Sequence, residues 1–167
     1  MKRMLVPMIA MTIVLSLALS AHALLIDRGG GMIYSTDMDV TWLMDANYAR
    51  TSGYDADGDM TWLAANTWAQ NLSYGGYDDW RLPTFDPAYN RDTVATYPAQ
   101  AAELSEMAYL RYGELQPHSQ GTSFDPSPFI NLIDSVNSVQ PWYWSGTTWF
   151  DANAGTLLAW RFDFSCG

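Results

Sequence analysis

Hydrophobic positions are distributed unevenly along this chain. Leu5 to Leu19 is a nearly unbroken apolar run, interrupted only by Pro7, Thr12 and Ser16. Met1-Lys2-Arg3 precedes it and Ala21-His22-Ala23 follows it. A basic start, an apolar centre and a small-residue end are the three parts of a secretory leader, so cleavage after Ala23 is expected. Met4 to Ala23 is long enough to cross a bilayer, but the small residues at its end mark processing rather than anchoring. Residues 1–23 are therefore read as a signal peptide, and residues 24–167 as one mature domain that leaves the membrane after cleavage.

After the leader the periodicity changes. Leu24-Leu25-Ile26 and Met32-Ile33-Tyr34 flank Asp27-Arg28-Gly29-Gly30-Gly31, which predicts a hairpin. Thr36-Asp37-Met38-Asp39 is turn-like, and Val40-Thr41-Trp42-Leu43 predicts a third strand. From Thr61 to Leu72 the period becomes helical: Ala65, Trp68, Ala69 and Leu72 share one face. Thr61 is the expected N-cap and Gly75-Gly76 the expected stop. A second helix is expected from about Ala99 to Tyr112, with Pro98 near its start and Gly113 after it. Gln116 to Pro141 is proline-rich and predicts loop, with a turn or short helix near Phe129–Ile133. Trp142-Tyr143-Trp144-Ser145 predicts a strand. Leu158, Trp160, Phe162 and Phe164 alternate with Ala159, Arg161 and Asp163, which predicts a strand with one buried and one wet face. The order of elements predicts an α+β domain, rich in loops.

Composition narrows the function. The 167 residues carry 18 acids and 8 bases, a formal charge of −10. Without residues 1–23, six bases remain, all Arg, so the mature charge is −12. Such a chain lacks the clustered bases that neutralise nucleic-acid phosphates or anionic membranes. The single cysteine, Cys166, excludes an intrachain disulfide framework and a multi-cysteine zinc site, leaving a free or intermolecularly paired thiol.

Gly75-Gly76-Tyr77-Asp78-Asp79-Trp80-Arg81-Leu82-Pro83-Thr84, preceded by a helix bearing Trp62 and Trp68, resembles the signature of the Lcl C-terminal domain family, also called domain of unknown function 1566. Trp144-Ser145-Gly146-Thr147 and Ala159-Trp160-Arg161-Phe162-Asp163-Phe164 resemble two of that family's strands. The resemblance runs from about Leu25 to Gly167. It implies a fold akin to C-type lectins and formylglycine-generating enzymes: two helices packed on small twisted antiparallel sheets, with long loops forming a binding face. It also implies a secreted, periplasmic or surface-displayed bacterial binding module, not an established enzyme. The related oxidising enzymes use a cysteine pair, which this chain lacks. Against the family pattern the chain ends about one strand early, so Leu158–Phe164 is expected to present a free edge open to self-association.

Candidate chemistry is limited. Asp55-Ala56-Asp57-Gly58-Asp59 alternates hard oxygen ligands on a glycine-containing loop and is the candidate Ca²⁺ site, although its spacing is not that of an EF-hand. Its competing reading is a solvated turn leading into the helix capped by Thr61. Trp80 and Leu82 are expected in the core, with Arg81 paired to Asp78, Asp79 or Asp163, and Thr84 capping a following turn. Of the aromatics at 142–149, Trp144 is expected in the core and Tyr143 and Trp149 exposed, where they would stack on sugar rings. Mature histidine is limited to His118, and no Gly-x-Ser-x-Gly elbow occurs. The expected function is a non-catalytic module for a neutral glycan or a protein surface. A self-associating envelope protein and a glycosidase-like enzyme using paired carboxylates are the alternatives.

Overall fold

The computed structural model describes residues 25–86, 105–115, 125–132 and 142–164. The expected leader, His118, Cys166 and residues 99–104 of the expected second helix lie outside them. Within them the chain is an α+β domain with small antiparallel sheets.

The first sheet has the order β1-β2-β3, from Leu25–Gly29, Met32–Ser35 and Val40–Leu43. β1 bulges between Asp27 and Gly29, where the Asp27 carboxylate accepts the Gly29 N–H at 2.7 Å. Gly30 and Gly31 turn the chain at φ of +63° and +78°, and the Tyr74 hydroxyl lies where a Cβ at Gly31 would stand. Only glycine permits both the turn and that approach. β2 alternates as a half-buried strand should: Ile33 and Ser35 are fully buried, Met32 and Tyr34 partly so.

A short helix, α1 (Tyr48–Thr51), follows β3, and α2 runs over Trp62–Gln70. Thr61 caps α2, its hydroxyl accepting the Ala64 N–H at 3.3 Å. The helix ends at Asn71 rather than at the glycines. Gly75 and Gly76 instead form the tight turn closed by reciprocal backbone bonds between Tyr74 and Tyr77. Of the expected second helix, the described part is broken at Ser105. Ser105 is extended, bridges to Phe85 and caps α3 (Glu106–Tyr109), its hydroxyl accepting the Ala108 N–H at 3.2 Å. The chain then widens into a five-residue π-helical turn, Leu110–Glu114.

The second sheet is a two-stranded ribbon, β4 (Trp142–Asp151) with β5 (Thr156–Asp163). β4 is longer than the four residues expected, because Thr147, Thr148, Trp149 and Phe150 continue a β-favouring run to the turn at 152–155. A bulge between Trp144 and Thr148 lets Gly146 donate to the Pro83 carbonyl at 2.8 Å. On β5 the wet-face reading fails at Asp163, which is buried with Phe162 and Phe164, while Leu157 and Leu158 near the ribbon tip are exposed.

The core joins the first sheet to α3 and the base of the ribbon. Ile33, Met107, Ala108, Tyr109, Leu110, Leu115, Phe129, Phe162 and Phe164 form one buried cluster. Ile33→Ala should cost about 2–5 kcal/mol, because it opens a void in that cluster. Thr61→Ala, which removes only a cap, should cost about 1 kcal/mol. Urea midpoints of the two variants should keep that order.

Candidate functional site

α2 meets the ribbon through two indole N–H bonds. Trp62 donates to the Ser145 carbonyl and Trp144 to the Met60 carbonyl, each at 2.9 Å. This places the inner face of α2 opposite β3 and the start of β4. That face carries the small residues Ala65 and Ala69, which are buried but do not fill the space. The result is a cavity of about 700 Å³, within the ordinary range for small-ligand sites.

Aromatic and polar groups divide the lining. Trp42, Trp68, Trp80, Trp142 and Trp144, five of the chain's eight tryptophans, border the cavity with Tyr48, Tyr77 and Tyr143. Met107, Leu110, Phe129 and Phe164 join them from the core side. Asp39, Asp45, Asp57, Asp59 and Asp79 bring carboxylates. Trp42 also keeps its ring N–H buried and without an acceptor among the described residues.

Arg81 and Glu106 form the charged pair of this lining. The guanidinium donates to both carboxylate oxygens at 2.7 and 2.8 Å, and the Thr84 N–H donates to the same carboxylate at 2.7 Å. Arg81 therefore pairs with Glu106, not with Asp78, Asp79 or Asp163 as expected. The correction has a geometric reason: the extended 81–84 segment runs beside the N-terminus of α3, where Glu106 can take both the fork and a backbone donor. Burial opposes ionisation of Glu106, but the bonds from Arg81 and Thr84 outweigh it and hold its carboxyl below the usual range.

The candidate calcium loop divides. Asp55 turns back on its own loop, accepting the N–H groups of Gly58 at 2.7 Å and Asp57 at 3.2 Å. Those bonds lower its pKa. Asp57 accepts the Asp59 N–H at 3.0 Å. Asp57 and Asp59 reach the cavity lining; Asp55 does not. Among the described residues no three carboxylate, histidine or cysteine side chains are grouped as a cation would need.

The expected exposed aromatic pair also separates. Trp149 is 39% exposed and leans on Trp160, with ring centroids 6.0 Å apart. Tyr143 is half-buried and packs edge-on against Phe164 at 5.5 Å, because its side of the ribbon base faces the core. Trp144 is only half-buried and borders the cavity, and Trp80 does the same, its ring N–H donating to the Tyr74 carbonyl at 3.2 Å. The sequence contained a signal for this: more indole than a small core requires. No protein-family model matches the chain, and neither the curated proteins nor the solved structures contain a match to it.

Glu114 provides the opposite electrostatic case to Glu106. Burial raises its pKa against the Ser35 hydroxyl, which donates to it at 2.6 Å, and Asp37 raises it further. A depressed carboxyl supports folding above its unfolded value, ~4.3 for Glu, and that support is lost as pH falls through the folded pKa. A raised one supports folding only at low pH and loses it as pH rises through the folded pKa. Glu106→Gln should therefore destabilise the protein at pH 7, and Glu114→Gln should stabilise it. The Glu114→Gln difference should vanish below the ordinary Glu range, and the Glu106→Gln difference should shrink only as pH falls further, through the lowered folded pKa, as read from urea midpoints along the pH series.

Proposed function

We propose that this chain is an exported, non-catalytic binding module that holds a saccharide in the tryptophan-lined cavity. The cavity carries this reading. Sugar rings present apolar faces that suit indoles and hydroxyls that suit carboxylate acceptors, and the lining supplies both together. The charge of −10 argues against a nucleic-acid or anionic-membrane partner. The leader-like residues 1–23 and the resemblance to the Lcl C-terminal domain family, with its C-type-lectin-like fold, support a module working outside the cytoplasm or at the cell surface.

Titrating oligosaccharides while following tryptophan fluorescence tests the reading. Saturable quenching is expected, and Trp68→Ala should weaken it about three- to tenfold through loss of ring stacking. Failure of every saccharide to bind would sink the proposal. Release of shortened sugars on prolonged incubation would move the assignment to the glycosidase alternative. The titration should be run with added calcium and with chelator. An affinity that falls with chelator would show that Ca²⁺ takes part, with the Asp55, Asp57 and Asp59 loop as its candidate site.

A second reading, self-association at a protein surface, is favoured by the ribbon tip. Trp149 and Leu158 form one cross-strand pair there and Phe150 and Leu157 the next. Phe150 is 64% and Leu157 59% exposed, so both faces of the tip present apolar area to solvent. Among the described residues β5 pairs only with β4, which leaves a strand edge to pair with. Sedimentation should show concentration-dependent dimers that disappear when Phe150 and Leu157 are both changed to Ser. A monomer at all concentrations would end this reading.

A further inference from the structure

The cavity lining is unbalanced in charge, and the imbalance says what kind of saccharide it suits. Arg81 is the only base among the described lining residues, and it is closed by two hydrogen bonds to Glu106. Set that pair aside and Asp39, Asp45, Asp57, Asp59 and Asp79 remain, all acidic. Some of these carboxylates have structural work. Asp45 accepts the Asn47 N–H and the Asn131 amide, and Asp39 accepts the Tyr34 hydroxyl. Asp59 and Asp79 have no hydrogen bond or ion pair from their side chains among the described residues.

The indoles add a second, independent preference of the same sign. An aromatic ring attracts a cation to its face, and one ring of this lining already holds one. The Arg161 guanidinium lies 4.1 Å from the centroid of Trp142, on a ring that borders the cavity. A site with several such rings, whose described carboxylates outnumber its bases, and whose nearby guanidiniums are engaged by Glu106 and by the Trp142 ring, disfavours a uronic acid, a sialic acid or a sulfated sugar. It offers a neutral sugar stacking alone. It offers a sugar bearing a protonated amine both stacking and charge.

Resting on the saccharide reading above, we infer that the ligand is an amino sugar with free, protonated amines, such as a de-N-acetylated glucosamine oligomer. Acetylation removes the charge while keeping the ring, so the matched pair of ligands isolates the inference from the reading beneath it.

The experiment is calorimetric titration of the whole protein, near pH 6, with glucosamine tetramer, N-acetylglucosamine tetramer and a lysine-rich peptide. Glucosamine tetramer should bind at least about tenfold more tightly than its acetylated counterpart. Its affinity should fall as salt is raised, while that of the acetylated sugar should not. Asp59→Asn and Asp79→Asn keep side-chain shape, and each should weaken only the amine ligand, about two- to fivefold. Equal affinity for the two tetramers would overturn the inference and leave the saccharide site standing. Failure of both would overturn the two together. Preference for the peptide over either sugar would also overturn it, because the site would then read charge without recognising a sugar ring.

Discussion

Two indole N–H groups hold this domain in the arrangement from which its other features follow. Trp62 on α2 reaches the Ser145 carbonyl on β4, and Trp144 on β4 reaches the Met60 carbonyl just before α2. Each bond satisfies a buried or half-buried donor that would cost about 1–3 kcal/mol if left unmade. The pair crosses, so neither element can slide along the other without breaking one of them. Gly146 adds a third tie, to the Pro83 carbonyl, and no side chain is needed there because the backbones approach directly. The two sheets share no strand among the described residues. Their relative placement is therefore set by side chain to backbone bonds and by the common core, rather than by a continuous ladder.

That arrangement explains how much could be read from the residues. The β1–β2 hairpin, β3, the α2 N-cap and the existence of β5 are local facts, fixed by periodicity and turn chemistry, and they are legible in order along the chain; the faces of β5 are not. Arg81 was not. It has three acidic candidates nearby in sequence or pattern, and the choice of Glu106 depends on the 81–84 segment lying against α3, which no local rule specifies. Gly75-Gly76 suits a helix stop on local grounds, because glycine marks both stops and turns. The deciding contact, Met32 packed where a Cβ of Gly75 would stand, is long-range. The cap at Ser105 depends on a similar long-range contact: Ser105 is extended and bridges to Phe85.

The cavity was the least legible feature. Ala65, Trp68, Ala69 and Leu72 form an apolar stripe, and such a stripe ordinarily means a buried seam. Whether a seam closes depends on volume across the interface. Alanine contributes little, so closure here would need large residues opposite. The residues opposite are large, but Trp144 and Trp80 border the space with their ring N–H groups bonded to the Met60 and Tyr74 carbonyls. Leucine at 65 and 69 would narrow the space without filling it, and the stripe alone does not distinguish a closed seam from an open one.

The acid excess then takes on a spatial meaning that composition lacks. Spread evenly, 18 acids against 8 bases would only keep the chain soluble and away from polyanions. Gathered beside indoles, around a space whose one described base is already paired, the same charges would favour a cationic ligand over an anionic one. Asp57 and Asp59 show the shift most clearly. As a motif they suggested a metal loop, whereas in the fold they stand on the lining of an aromatic cavity, with Asp55 turned back to hold the loop that presents them. A carboxylate in that position acts on whatever approaches the rings, and its attraction strengthens as the ligand displaces the water between them. The selectivity of such a site would therefore come from coupling: stacking brings the amine close enough for the carboxylates to matter, and a ligand offering only one of the two gains only part of the other.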